Sequence, residues 1–237
     1  MAWYVTQAPM AGALSYLHEF LMQEFERIFG REIMHMRDCT IYNDPQSKGP
    51  YCYYEPHVRI RLAQESLDYW AQTVFQLSHE MTHYACLSVR GLDTPPARWY
   101  EEIFCEAMSL YFLEYAATNW SYCWLSRINP SFDASIRDYL NVNYNDAWSE
   151  GLASCRTHAA LLTYDRDLMP ERRRDGHVRE RNKLYLAIRQ NPTAAGALVR
   201  YSRYLCAGGV LVDFASWQRA ERGNPLIPLF ASLQPVK

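Results

Sequence analysis

Apolar residues return at three- and four-residue steps along two stretches of the chain. Leu14, Leu17, Phe20, Leu21, Phe25 and Ile28 form one stripe, which predicts a helix over 14–29 that stops at Gly30. Leu67, Trp70, Ala71, Val74, Leu77, Met81 and Tyr84 form the other. Residues 67–89 contain no Gly or Pro, Ser66 stands where an N-cap belongs, and Gly91 falls just past the end. Between the two stripes the period drops to two. Val58, Ile60 and Leu62 alternate with His57, Arg59 and Arg61, as in a half-buried strand. Thr40 to Tyr42 and Tyr51 to Tyr54 read as two further strands, separated by a turn from Asn43 to Pro50. After a loop at 92–96, a helix starting near Pro96 carries Trp99 to Leu110. Beyond Pro130, helices are expected over 146–163, 177–190, 193–206 and 210–220. The predicted class is α+β and mostly helical. A small amino-terminal sheet and two long helices fill a first lobe, residues 1–125. A helical carboxy-terminal lobe, residues 126–237, packs as part of the same domain.

Composition narrows the setting. The net charge of −2 gives no global attraction to nucleic acid or to an anionic membrane. The most basic stretch, Arg172 to Arg174 followed by Arg179, Arg181 and Lys183, is broken up by Glu171, Asp175 and Glu180. It reads as a solvated face, so no nucleic-acid partner is expected. The start of the chain lacks the basic and apolar blocks of a signal peptide, and no run reaches the ~18 apolar residues of a spanning helix. The 7 cysteines are odd in number and form no Cys-x-x-Cys pair, which suits free thiols in a reducing compartment. The expected location is the cytoplasm, away from membranes; export by a dedicated secretion machine leaves no signal of this kind. Tyr111, Phe112, Tyr115, Trp120, Tyr122 and Trp124 are read as packing at a helix end.

The second apolar stripe also carries chemistry. It contains His79-Glu80-Met81-Thr82-His83. On a helix, residues four apart point the same way, so both imidazoles can meet one Zn²⁺. Glu80 lies about 100° round from His79, beside such a metal, where a general base belongs. A shuffled chain of this composition gives the five-residue pattern only about 0.01 times, so chance is a poor account of it. A zinc site needs a third protein ligand. Glu101, Glu102 and Glu106 on the next helix compete for that place. Glu102 and Glu106 share a face, so Glu102 is assigned as the ligand. Glu106 is assigned as the carboxylate that receives the far nitrogen of a ligand histidine. Glu101 is read as a solvated helix charge.

This order of short motif, loop and glutamate-bearing helix resembles the gluzincin zinc metallopeptidases, which include the thermolysin-like and aminopeptidase-like families. Eighteen residues separate His83 from Glu102, as in the aminopeptidase-like pattern. Trp99 and Phe104 stand at positions where those families often place aromatic residues, whereas Ile103 replaces their usual glycine. The resemblance covers residues 57 to about 117. It implies a zincin-like core with two zinc-bearing helices. It also implies a sheet edge above the active-site helix to which an extended peptide adds, a role assigned to residues 57–62. No Gly-x-Met-Glu-Asn segment is present to anchor a free amino terminus, which points toward an endopeptidase.

The expected activity is hydrolysis of peptide bonds in a peptide or protein substrate. Zn²⁺ on His79, His83 and Glu102 activates water, and Glu80 acts as general base. The families generally place a Tyr or His from the later lobe over the oxyanion; His158, Tyr164 and His177 are the candidates, with Tyr164 nearest the family spacing. The alternative is a catalytically silent or regulated protein that keeps the zincin fold for binding.

Overall fold

A computed structural model describes residues 2–6, 11–54, 57–147, 149–168 and 174–236. It is mostly helical, with one four-stranded sheet. The strands are β1 (Trp3–Val5), β2 (Cys39–Asn43), β3 (Tyr51–Tyr53) and β4 (Val58–Leu62), in the order β1-β2-β4-β3. β1, β2 and β4 run parallel, and β3 returns antiparallel to β4. The alternation read in residues 58–62 is correct: Val58, Ile60 and Leu62 are buried. The edge position assigned to that strand is not. β4 pairs with β2 through Cys39↔Val58 and with β3 through Cys52↔Ile60, so its backbone is taken on both sides. Strand β3 forms the edge instead. Alternation reports which face of a strand is buried; it says nothing about which neighbours flank it.

Helices α1 (Ala11–Phe29) and α2 (Arg31–Met34) connect β1 to β2. Two long helices follow the sheet, α3 (Trp70–Arg90) and α4 (Arg98–Thr118), joined by residues 91–97. Helix α3 begins three residues later than the apolar stripe suggests. The Ser66 hydroxyl binds Asp68, accepting its N–H and meeting its carboxylate, in a turn ahead of the helix. Gly91 ends α3 with φ 78°, a conformation that favours glycine. Most of α3 is buried, its polar residues included. Ser78 donates to the carbonyl of Val74 and Thr82 to that of Ser78, so these buried hydroxyls are satisfied within the helix.

The later elements are α5 (Phe132–Tyr144), α6 (His158–Asp167), α7 (Val178–Gln190), α8 (Phe214–Ala220) and α9 (Leu226–Leu233). A 3-10 segment, Pro192–Tyr204, precedes α8. The helix expected over 146–163 is replaced by a loop and α6, and neither α5 nor α9 was expected. Helix α7 lies within its expected span. One hydrophobic cluster extends from Leu14 to Leu233 and so crosses residue 125. The carboxy-terminal segments grip the start of α4. The Trp99 ring N–H donates to the carbonyl of Val210 at 2.7 Å, and the Tyr100 hydroxyl to that of Leu198 at 3.0 Å. Gly196 lets the 3-10 segment lie against the end of α1, because a Cβ there would stand 2.2 Å from the carbonyl oxygen of Ile28.

The aromatic run from Tyr111 is mainly core, as read, except that Tyr122 is 82% and Trp124 41% exposed. Arg172 and Arg173 lie outside the described residues. Arg181, read as part of a solvated face, is buried. Among the described residues, no helix is long and apolar enough to cross a membrane.

Candidate metal centre

Helical spacing stacks His79 and His83 one turn apart on α3, and α4 crosses so that Glu102 meets both. The two Nε2 atoms are 3.2 Å apart. The Glu102 carboxylate lies 3.4 Å from His79 Nε2 and 3.3 Å from His83 Nε2. Among the described residues, His79, His83 and Glu102 are the group able to hold a metal ion. The distances test what ion would fit. Donors about 2.0–2.1 Å from one Zn²⁺ at tetrahedral angles stand roughly 3.3 Å from one another. The separation of the two nitrogens matches that edge length; the Glu102 carboxylate meets them through different oxygens, Oε2 toward His79 and Oε1 toward His83, and the N, N, O donor set is one that zinc accepts.

The electrostatics also suit a cation. Burial alone would raise the Glu102 pKa; contacts with His79 and His83 outweigh it and hold the carboxyl well below the usual range. Burial lowers the pKa of His83, but Cys105, Glu101 and Glu102 overcome that and hold it well above the ordinary histidine value. Burial pushes the Cys105 thiol itself up to about 12. The cluster therefore concentrates negative charge around its imidazoles, which a dication would neutralise.

The carboxylate that serves His83 is Glu101. His83 Nδ1 donates to Glu101 Oε2 at 3.1 Å, and Glu101 is 1% exposed. The assignment of Glu106 to that place is corrected. His83 presents its two nitrogens on opposite edges of the ring, and consecutive glutamates straddle it, Glu102 on Nε2 and Glu101 on Nδ1. Glu106 lies a turn further along α4, where Arg181 Nη1 donates to its Oε2 at 3.2 Å and His177 Nε2 lies 3.5 Å from the same oxygen. The spacing did not mark Glu101: Trp99, Tyr100, Ile103 and Phe104 fall on one side of the helix, and Arg98, Glu101, Glu102 and Cys105 on the other, so the turn reads as having a polar face. The far nitrogen of His79, Nδ1, is buried and has no hydrogen-bond partner among the described residues.

Glu80 is 3% exposed and lines the same cleft as His79, His83 and Glu102. The cleft has a volume of about 180 Å³. Its other walls include Tyr51 and Cys52 of β3, then Tyr54, Pro96, Arg98 and Leu168. Arg98, which no motif marks, also lines the cleft, and its guanidinium donates to the carbonyl of Arg166 at 3.0 Å. Tyr164 and His177 are buried and bond each other, with Oη and Nδ1 3.0 Å apart. Neither they nor His158 is among the cleft's described lining residues. No protein-family model, curated protein or solved structure matches the chain, so the reading of this centre rests on its own geometry.

Proposed function

We propose that the chain is a zinc-dependent peptidase of the gluzincin type, cleaving internal peptide bonds. One observation carries the reading: His79, His83 and Glu102 converge closely enough to hold one metal ion in the wall of a cleft bordered by β3, whose outer edge is unpaired among the described residues. Zinc bound by His79, His83 and Glu102 would polarise the scissile carbonyl and acidify water. Glu80, beside the ligands, takes the proton of the attacking water and delivers it to the leaving amine. Glu101 fixes the ring of His83. The edge of β3 offers main-chain donors and acceptors to an extended substrate. Arg98 supplies positive charge for the developing oxyanion, the place for which Tyr164 was a candidate.

The test uses purified full-length protein. About one zinc per chain is expected by elemental analysis, with cleavage of a proteome-derived peptide mixture. Glu80→Gln should keep the zinc and lose about 10²- to 10⁴-fold in rate. Full activity in that variant would remove Glu80 from the mechanism. A second reading, a silent zincin-type binding protein, draws on the burial of Tyr164 and His177 in their own contact. Stoichiometric zinc without any new chain ends would favour it.

A further inference from the structure

We infer that Arg90 and Tyr201 are positioning residues for the metal ligand His83, acting through Glu101. The inference rests on the zinc-site reading above. The two oxygens of Glu101 have separate partners. Oε2 faces His83 Nδ1 at 3.1 Å. Oε1 accepts from Arg90 Nε at 3.3 Å and from the Tyr201 hydroxyl at 2.5 Å. All of these groups lie in the interior, with Tyr201 at 0% and Arg90 at 8% exposure. A carboxylate gripped at one oxygen by two donors cannot swing away, so its other oxygen stays in the plane where His83 donates. That fixes which imidazole nitrogen is free for metal, and in which direction it points.

Each positioning residue also connects the centre to a distant part of the chain. Arg90 closes α3, and its Nη1 donates to the carbonyls of Gly91 and Thr94 in the connection to α4. Its guanidinium lies 5.7 Å from the ring centre of Tyr54, in the cleft wall. Tyr201 belongs to the carboxy-terminal 3-10 segment and stacks on Tyr100 at 4.4 Å. The carboxy-terminal 3-10 segment therefore reaches Glu101 through one hydroxyl.

The experiment is Tyr201→Phe in the full chain, read as zinc affinity by competition with a chromophoric chelator at fixed pH. The ring and its stacking are retained, so folding is preserved. Removal of a carboxylate that orients a ligand typically weakens metal binding about 10- to 100-fold. Loss of one of its two clamps is expected to weaken zinc binding by about 3- to 10-fold. Arg90→Gln is expected to weaken it at least as much. Tyr185→Phe is the control: it loses a hydrogen bond to Glu114 at 2.9 Å but belongs to α7, away from Glu101. Both Phe variants should lower the melting temperature of zinc-free protein comparably, and only Tyr201→Phe should move zinc affinity. Equal affinities in wild type, Tyr201→Phe and Tyr185→Phe would overturn the positioning role while leaving the metal site intact. A wild-type protein that takes no zinc would overturn the metal reading itself.

Discussion

Arg181→Met isolates the part of the buried charge network that does not serve the metal. Arg181 is 2% exposed and Glu106 is 0% exposed. Besides its contact with Glu106, Arg181 donates to the carbonyl of Asn143 at 2.6 Å and to the side chain of Asn182 at 3.2 Å. Methionine fills similar space without charge. It takes the Arg181 guanidinium away from the buried Glu106 carboxylate and leaves His177 beside it, a change that costs up to about 3–5 kcal/mol. For a chain of this size each kcal/mol moves the melting temperature by roughly 2–4 °C, so a drop of about 6–20 °C is expected. Adding Glu106→Gln removes the buried negative charge, and the double variant should regain more than half of the loss. Zinc affinity should stay within about threefold of wild type, because His83 Nδ1 is held by Glu101. Calorimetry and chelator competition on the same samples give both numbers. A loss below about 1 kcal/mol would show that Glu106 does not depend on Arg181 for charge compensation. A large fall in zinc affinity would return Glu106 to the ligand-supporting role and refute the assignment of Glu101.

Two further outcomes follow from other parts of the structure. His18 packs against Trp3 with ring centres 5.1 Å apart, and burial, with His35 nearby, lowers its pKa from 6.5 to about 4. The unfolded chain therefore binds more protons than the folded one between about pH 6.5 and 4, and stability falls as pH drops through that window, by up to about 3 kcal/mol. His18→Phe should flatten this part of a stability-against-pH curve measured by urea unfolding; an unchanged slope would remove His18 as its source. At the strand edge, a substrate peptide carrying one N-methyl group on a backbone amide that faces β3 should lose about tenfold in kcat/KM, the worth of one hydrogen bond. A scan in which every N-methylated position is cleaved at the parent rate would exclude strand addition.

The parts legible from sequence were those with a strong local period. The α3 stripe, its glycine stop and the four-residue step between His79 and His83 are properties of one helix, and they place two imidazoles together whatever surrounds them. Glu102 was legible because a short connection forces α4 to return beside α3. The choice between Glu101 and Glu106 was not legible. It depends on how far α4 is rotated about its own axis, and a 100° error exchanges one residue for its neighbour. The edge strand was misplaced for a related reason: β3 follows β2 in sequence but, among the described residues, pairs with β4 alone. Arg181 looked solvated because charge runs usually are, and its burial depends on Glu106 lying 75 residues away. The carboxy-terminal lobe was read least well. Pro192–Tyr204 is a long 3-10 segment, for which the helical period of 3.6 is the wrong template.

The rotation of α4 decides the chemistry of the centre, so what sets it matters more than the motif spacing. The connection at 91–97 could tolerate several settings on its own. Trp99 and Tyr100, immediately before the two glutamates, remove that freedom. Trp99 is fully buried with its ring N–H committed to Val210, and Tyr100 lies between Tyr201 and Phe230, at 4.4 and 4.1 Å, with its hydroxyl on Leu198. Turning α4 by one residue would unmake both hydrogen bonds and expel two aromatic rings, a cost of several kcal/mol. That cost keeps Glu101 on Nδ1 and Glu102 on Nε2 of His83. The two carboxylates are chemically identical and adjacent, and their separate contacts with His83 come from the packing of the aromatic residues that precede them. The carboxy-terminal elements that receive those aromatics are therefore part of the centre's construction, although no residue of theirs is a ligand.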